Sequence, residues 1–402
     1  MQTIYFELNI PKVLITKALR HAWPGIIWSP VSPSRFATLP EPRLPGPRWI
    51  KVRNRQCGIC ATDLTLLLVK ADPRVSMAAL PSISHSYLGH EVVSDVVEVG
   101  PDVTGFQVGD RVIMDTRSIG PTCLSQEISP PCRHCSAGNY SICENQSAGG
   151  PAGTGGGWGD LYTAHESEVF KVPDHLTDDQ AVLVEPSSVA LRAVLRRRPG
   201  PGEHVLVIGC GIIGLLAVRI ARIAAPDAHI TAMARYPHQV ASARRLGADE
   251  VISGRDGYTE VARLTGGKLY AGALGNEMML GGYDVIYDIV GTAQTVKDSL
   301  RWARAGGTVV VVGISPLLMK VDLSPVWHQE VNLIGSLGHG SEEWCGQPVH
   351  GFELVSGWMR DGALPTEGLI THRFPLQEYK RAVATATDKR SGAIKVVFQI
   401  GQ

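Results

Sequence analysis

Two groups of residues in this chain are of types that do chemistry. The first is sulfur and imidazole: six of the eight cysteines fall between Cys57 and Cys143, interleaved with histidines. In a reducing compartment this crowding reads as metal ligation before disulfide pairing. Within it Cys132, Cys135 and Cys143 are spaced C-x2-C-x7-C, with Cys123 upstream, in a segment too poor in apolar residues to be held by a core. Something must staple it. The second group is glycine, in the run Glu203 to Ala221, EHVLVIGCGIIGLLAVRIA. Gly209 allows a tight turn, Gly211 lets backbone N–H groups approach a pyrophosphate, and Gly214 lets the following helix pack close to the strand. The helix that opens at Ile212 and Ile213 turns its partial positive charge toward that phosphate, so the motif is a place to lay a dinucleotide.

The elements that must position these groups follow from the apolar pattern. Val205 to Ile208 form a β-branched run of the kind found in strands covered on both faces, and Leu215, Leu216, Val218 and Ile220 continue into an apolar helix. Beyond them strand and helix patterns alternate through HITAMA, VASARRLGA, EVI, YDVIYDIVG, TVKDSLRWARAGG, TVVVVGI and NLIGSL, which calls for a parallel sheet with helices on both faces. Before them, WIKVRNRQCGICATDL reads as a strand entering a loop, and VVSDVVEVGPDVTGFQVGDRVIM as two strands joined by glycine and proline turns. That half is an antiparallel barrel-like lobe. The stretch LTDDQAVLVEPSSVALRAVLRR is helical with a break expected at Glu185-Pro186, which leaves Glu185 at a helix end or kink. Residues up to about Arg48 suggest short strands and loops, and the last segment is expected to return to the first lobe.

Composition narrows the classes of function. The chain has 402 residues, enough for two or three domains, and equal numbers of acidic and basic side chains, 38 each, so no net charge attracts nucleic acid or an acidic membrane surface. No run is long and apolar enough for a membrane span. Glu7 interrupts the first apolar stretch and Lys12, Lys17 and Arg20 follow it instead of preceding it, which is not a secretory-signal pattern and makes the cytoplasm the expected compartment.

Taken in order, GICATDL, GHE, VGDRV, C-x2-C-x7-C, VEP, G-x-G-x-x-G, LGAD, DIVG and VVVVGI resemble the zinc-containing medium-chain dehydrogenase/reductases, and within them the polyol, threonine and sugar dehydrogenases. The resemblance covers the chain from about Trp49 onward. It implies an α/β protein in which a GroES-like β-barrel catalytic domain (1–190, with a structural-zinc lobe at about 120–145, and returning over 337–402) accompanies a Rossmann doubly wound parallel-sheet domain (191–336). A catalytic zinc would lie in the cleft between them, and a hydride would pass between an alcohol carbon and a nicotinamide. Zinc suits that chemistry because it lowers the pKa of a bound oxygen and polarises a carbonyl.

Residue by residue, the resemblance implies Cys60, His90 and Glu185 as catalytic-zinc ligands, with Glu91 as a carboxylate able to swing into the metal. Thr62 matches the hydroxyl that takes the alcohol proton, and Asp63 the carboxylate that orients the ligating histidine. Thr65 stands where many relatives end the proton relay with histidine, so the relay is expected through Thr65, through ribose hydroxyls and water, or through His85. Ser94 replaces a glycine. In the structural site the usual first cysteine is Ser129, and Cys123 is expected to complete a set with Cys132, Cys135 and Cys143, His134 being the weaker alternative. Cys57, Cys210 and Cys345 read as structural.

Dinucleotide contacts are implied for Gly209, Gly211, Ile212, Ile213, Gly214, Val290, Gly291, Gly313 and Ile314, joined by Arg235 and Tyr236. NAD sites place an acid about 20 residues beyond the glycine turn. Counted along the family's helix, that position is Ala234, followed by Arg235, whose guanidinium suits a 2′-phosphate. NADP is therefore expected over NAD. The expected partners are a small alcohol or carbonyl substrate and a second copy of the chain in a homodimer or homotetramer paired near NLIGSL. Two competing readings remain, a zinc-free quinone or enone reductase on the same fold and a non-catalytic nucleotide-binding protein.

Overall fold

The computed structural model describes residues 1–76, 85–115, 120–146 and 153–401. They form two compact units, one of Met1–Glu185, Pro316–Leu318 and Thr366–Gln402, the other of Pro186–Ser315 and Met319–Pro365. The second unit thus runs past 336, and the helix Gly351–Arg360 belongs to it.

In the first unit the long strand Trp49–Gly58 is the hub. It pairs antiparallel with Val92–Val99, with Leu161–His165 and, at its far end, with Lys395–Gln399. Arg111–Met114 and Val169–Lys171 extend the sheet on one side and Ile370–Pro375 on the other, this last pairing being the parallel exception in an otherwise antiparallel barrel. Inward-facing Ile50, Val52, Val92, Val96, Val112, Trp158, Tyr162 and Phe398 fill the core. The alternation of buried and exposed residues along Trp49–Gly58 is what a half-buried strand requires.

The N-terminal segment departs from the expected strands and loops. After the strand Gln2–Glu7 the chain forms a helix, Ile10–Leu19, and a 3-10 turn, Pro24–Trp28, before Ser34–Thr38 pairs back on the first strand. The β-branched Val13 and Ile15 favour a strand, but the local end signals outweigh them. The Asn9 side chain accepts the Lys12 N–H at 3.1 Å and Pro11 sits in the first turn, where its missing N–H costs nothing.

The break near Glu185 also falls elsewhere. One short helix spans Asp178–Ala181, and the next, Val184–Arg196, runs straight through Pro186. Proline is tolerated there because first-turn N–H groups have no partner within the helix. Glu185 consequently stands in the first turn of an unbroken helix.

The second unit is a six-stranded parallel sheet in the order Glu250–Ile252, His229–Met233, His204–Ile208, Tyr283–Asp288, Ala303–Val311, Asn332–Gly335. This is the 3-2-1-4-5-6 order of a Rossmann domain. The glycine turn joins the central strand to the helix Ile212–Ala224.

Candidate functional site

The first unit gathers Cys60, His90 and Glu91, whose ligand atoms all lie within 4.8 Å of one another. Cys60 is the residue at which the strand Trp49–Gly58 gives way to the helix Ala61–Leu67; His90 and Glu91 immediately precede the paired strand Val92–Val99. The antiparallel register sets Cys57 opposite Val92, which brings the two segments together. Asp63, 5% exposed, ties them: one oxygen accepts the Gly89 N–H at 3.0 Å and lies 3.5 Å from His90 Nδ1, and the other accepts the Cys60 N–H at 3.3 Å. A carboxylate on Nδ1 leaves Nε2 as the histidine's free ligand atom. The Thr62 hydroxyl lies 3.2 Å from Cys60 Sγ.

The electrostatics of this pocket call for a cation. Burial alone would lower His90, yet the Asp63 and Cys60 charges hold it well above its ordinary value. Burial pushes Glu185 up to about 7, with Glu91 and Asp63 adding to the shift and His90 and Lys395 opposing it. Glu185 is thus buried within reach of these charges, although its carboxylate is outside the group formed by Cys60, His90 and Glu91. A thiol, an imidazole and carboxylates around one point are the donor set of a zinc site.

The structure also places the remaining candidates of this unit. The Thr65 hydroxyl donates to the Ala61 carbonyl at 3.0 Å, and His85 packs edge-on against Tyr5 with ring centroids 5.0 Å apart. Ser94, fully buried, donates to Asn54 Oδ1 at 2.9 Å, and Asn54 in turn binds the Gly156 and Gly159 carbonyls, so the serine anchors part of the glycine-rich loop. The first residues of that loop, 149–152, lie outside the described residues. Cys57 is buried and burial raises it, so it stays a thiol, whereas Cys345 is exposed.

In the lobe, Cys123, Cys132, Cys135 and Cys143 form a second group within the same 4.8 Å limit. Cys123 reaches round as expected: its sulfur lies 3.6 Å from that of Cys143 and accepts the Cys132 N–H at 3.3 Å and the Asn145 side-chain amide at 3.2 Å. His134 instead lies 3.7 Å from Glu144.

In the second unit Gly209 has φ +95°, and a Cβ on Gly214 would stand 1.8 Å from the Gly209 carbonyl oxygen, so both need glycine. Gly211 caps the helix at Ile212. Val290 and Gly291 are held by N–H bonds to Asp288 Oδ1 at 3.0 and 2.9 Å, and Gly291 packs backbone to backbone on Gly313. Val290 and Ile314 expose apolar side chains. Ala234 is buried at the end of its strand; Arg235 beside it is exposed and makes no ion pair among the described residues, and Tyr236 stacks with His238 at 5.8 Å.

Two residues of the first pocket escaped sequence reasoning, Lys395 and Gly58. Lys395 Nζ is hydrogen-bonded to the Glu91 carboxylate and both residues are 1% exposed. The only signal was a lone cation inside the apolar strand AIKVVF.

Comparison with known proteins agrees with this geometry. Residues 46–174 match the alcohol dehydrogenase GroES-like domain and residues 213–346 the zinc-binding dehydrogenase domain. The chain is 30% identical over 361 residues to L-idonate 5-dehydrogenase of Vitis vinifera, covering 88% of this chain and 89% of the relative. It is 29% identical over 329 residues to D-arabinitol dehydrogenase 1 of Uromyces fabae, covering 81% and 83%. A solved structure from Sinorhizobium meliloti 1021, described as a zinc-binding dehydrogenase bound to NADP, superposes with a TM-score of 0.68 at 27% identity over 91% of this chain and 95% of that one. The fold and site define a two-unit oxidoreductase with a GroES-like and a Rossmann part. The chain belongs to the zinc-containing medium-chain dehydrogenase/reductase family, among its alcohol and polyol dehydrogenases.

Proposed function

We propose that this chain is a zinc-dependent dehydrogenase that oxidises a secondary hydroxyl of a polyol-like substrate, or reduces the matching carbonyl, with NADP as the preferred nicotinamide. The observation that carries the reading is the convergence of Cys60, His90 and Glu91, with Asp63 on the histidine and the Thr62 hydroxyl on the sulfur. Cys60, His90 and Glu185 would hold the metal, with Glu91 beside them as a carboxylate able to swing into it. Bound there, zinc supplies Lewis-acid polarisation of the substrate oxygen. The protein does the rest: Asp63 fixes the histidine's orientation, and Thr62 is placed to take the hydroxyl proton. Thr65, whose hydroxyl is engaged with its own helix, is a poor next carrier, which favours a relay through cofactor ribose hydroxyls and water. The four lobe cysteines would hold a second, structural zinc.

The substrate class draws on relatives named for idonate and arabinitol. The NADP preference rests on Ala234, which presents no carboxylate to repel a 2′-phosphate, and on the exposed Arg235 next to it, which makes no ion pair among the described residues. Pairing through the exposed edge strand Asn332–Gly335 would give a homodimer, and a second interface between two such dimers a homotetramer. Two measurements test the reading. Metal analysis should find two zinc ions per chain, and a protein without zinc would revive the quinone-reductase and non-catalytic alternatives. With a panel of polyols, kcat/KM should favour NADP; Arg235→Ala should reduce the preference by about ten- to a hundredfold, the worth of one charge-assisted hydrogen bond, and Ala234→Asp should turn it toward NAD. A higher kcat/KM with NAD in the unmodified enzyme would refute the cofactor assignment.

A further inference from the structure

The Glu91–Lys395 pair is an expensive arrangement. Both side chains are 1% exposed, and replacing a buried ion pair by apolar side chains of similar size is commonly neutral or stabilising, so stability alone is a weak reason for having one. Its construction is nonetheless deliberate. Lys395 enters on the strand Lys395–Gln399, which pairs beside Trp49–Gly58, and its ammonium also donates to the Ile59 carbonyl at 3.3 Å. The carboxylate reaches it through space that only glycine leaves: a Cβ on Gly58 would stand 2.0 Å from Glu91 Oε2. The Glu91 N-terminal neighbour is His90, and a Glu91 oxygen already lies within 4.8 Å of the Cys60 and His90 ligand atoms.

A buried carboxylate beside a metal pocket has two cations to choose from. It can stay on Lys395, or it can turn to the ion held by Cys60 and His90 and close a position that the substrate oxygen needs. Without an ammonium partner it has no route to water, and the metal becomes its best counter-charge. We propose that Lys395 is a positioning residue that holds Glu91 off the metal and so keeps a coordination position open for the alcohol. This rests on the zinc assignment made above, and it gives Gly58 a part as the gap through which the restraint is made.

The test is the rate at which the purified holoenzyme gives up its first-unit zinc to a chelator, read alongside the visible spectrum of the cobalt-substituted protein. Lys395→Met should keep its zinc and release it at least about tenfold more slowly, the size usual when the partner of a metal ligand is changed, with an altered cobalt spectrum and a lower kcat. Adding Glu91→Gln should restore the wild-type release rate, and Lys395→Arg should preserve both rate and spectrum. Should Lys395→Met fold poorly, Lys395→Gln, which can still hydrogen-bond Glu91 but carries no charge, should also slow release and alter the cobalt spectrum, by a smaller margin. Release by Lys395→Met and Lys395→Gln as fast as wild type would overturn the proposal. A wild-type protein whose Cys60 pocket holds no zinc would instead overturn the zinc assignment itself.

Discussion

The two cysteine groups make opposite use of the same ligand chemistry. The Cys60 pocket is assembled from segments that the barrel already positions: Trp158, Leu88, Val92 and Phe398 pack behind it in a continuous apolar core. Among the described residues the lobe shows no such support. Its interior is Cys123, Cys135 and Cys143, with Cys132 and Tyr140 against them. Where a core exists, a metal is free to be chemical, with carboxylates held nearby and a position left for substrate. Where none exists, the four thiols are themselves the core, and a tetrahedral site of four thiolates with no open position is what such a segment needs.

That contrast can be broken most directly at Cys60. Cys60→Ala should reduce turnover on the order of a thousandfold or more, the several kcal/mol that Lewis-acid stabilisation supplies, while the barrel keeps its thermal stability and the second unit its dinucleotide binding. Wild-type turnover in this variant would remove the metal from the mechanism. In the lobe the signs reverse. Cys123→Ser should cost one zinc per chain and open residues 120–146 to proteolysis and amide exchange, because metal binding worth on the order of 10 kcal/mol is what folds such segments, while the chemical step stays unchanged. Unaltered metal content would show that Cys123 is not a ligand.

What was legible in the sequence follows the same division. The glycine turn, the alternating strands and helices and the C-x2-C-x7-C spacing are local, and each states its own geometry. Cys123 was legible as a candidate because the family resemblance implies a four-cysteine site whose usual first position is Ser129 here, and Cys123 stands a few residues upstream across a turn-prone stretch. Lys395 was not, since its role depends on a carboxylate some three hundred positions away in sequence and on a glycine that makes room for it. The helix Ile10–Leu19 was hidden by β-branched residues, which are weak evidence for a strand when an asparagine cap and an early proline precede them. Pro186 misled for a related reason: the rule that proline breaks helices holds for interiors, and this proline lies in a first turn.

A smaller effect sharpens how the lobe is fastened to the barrel. Glu127, at the lobe's edge, lies 3.7 Å from Arg48 and 3.6 Å from Nε2 of His165, a barrel residue that is 1% exposed. His165 Nδ1 lies 2.8 Å from the Ser167 hydroxyl and 3.2 Å from the Ser167 N–H, contacts that a neutral ring can accept. Burial, reinforced by the Arg48 charge and opposed by Glu127, holds its pKa below the ordinary histidine value. The sign follows: between the lowered folded value and an unfolded value of about 6.5, the unfolded chain binds the proton that the folded one refuses, so stability falls as the solution is acidified through that window. The loss is at most about 1.4 kcal/mol per unit of pH. His165→Asn, which keeps an acceptor for the Ser167 N–H but cannot titrate, removes this component. The stability gap between wild type and variant, measured by denaturant unfolding, should therefore be widest near pH 8 and narrow toward pH 5. A gap that stays constant or widens on acidification would show that His165 is not held neutral at this junction.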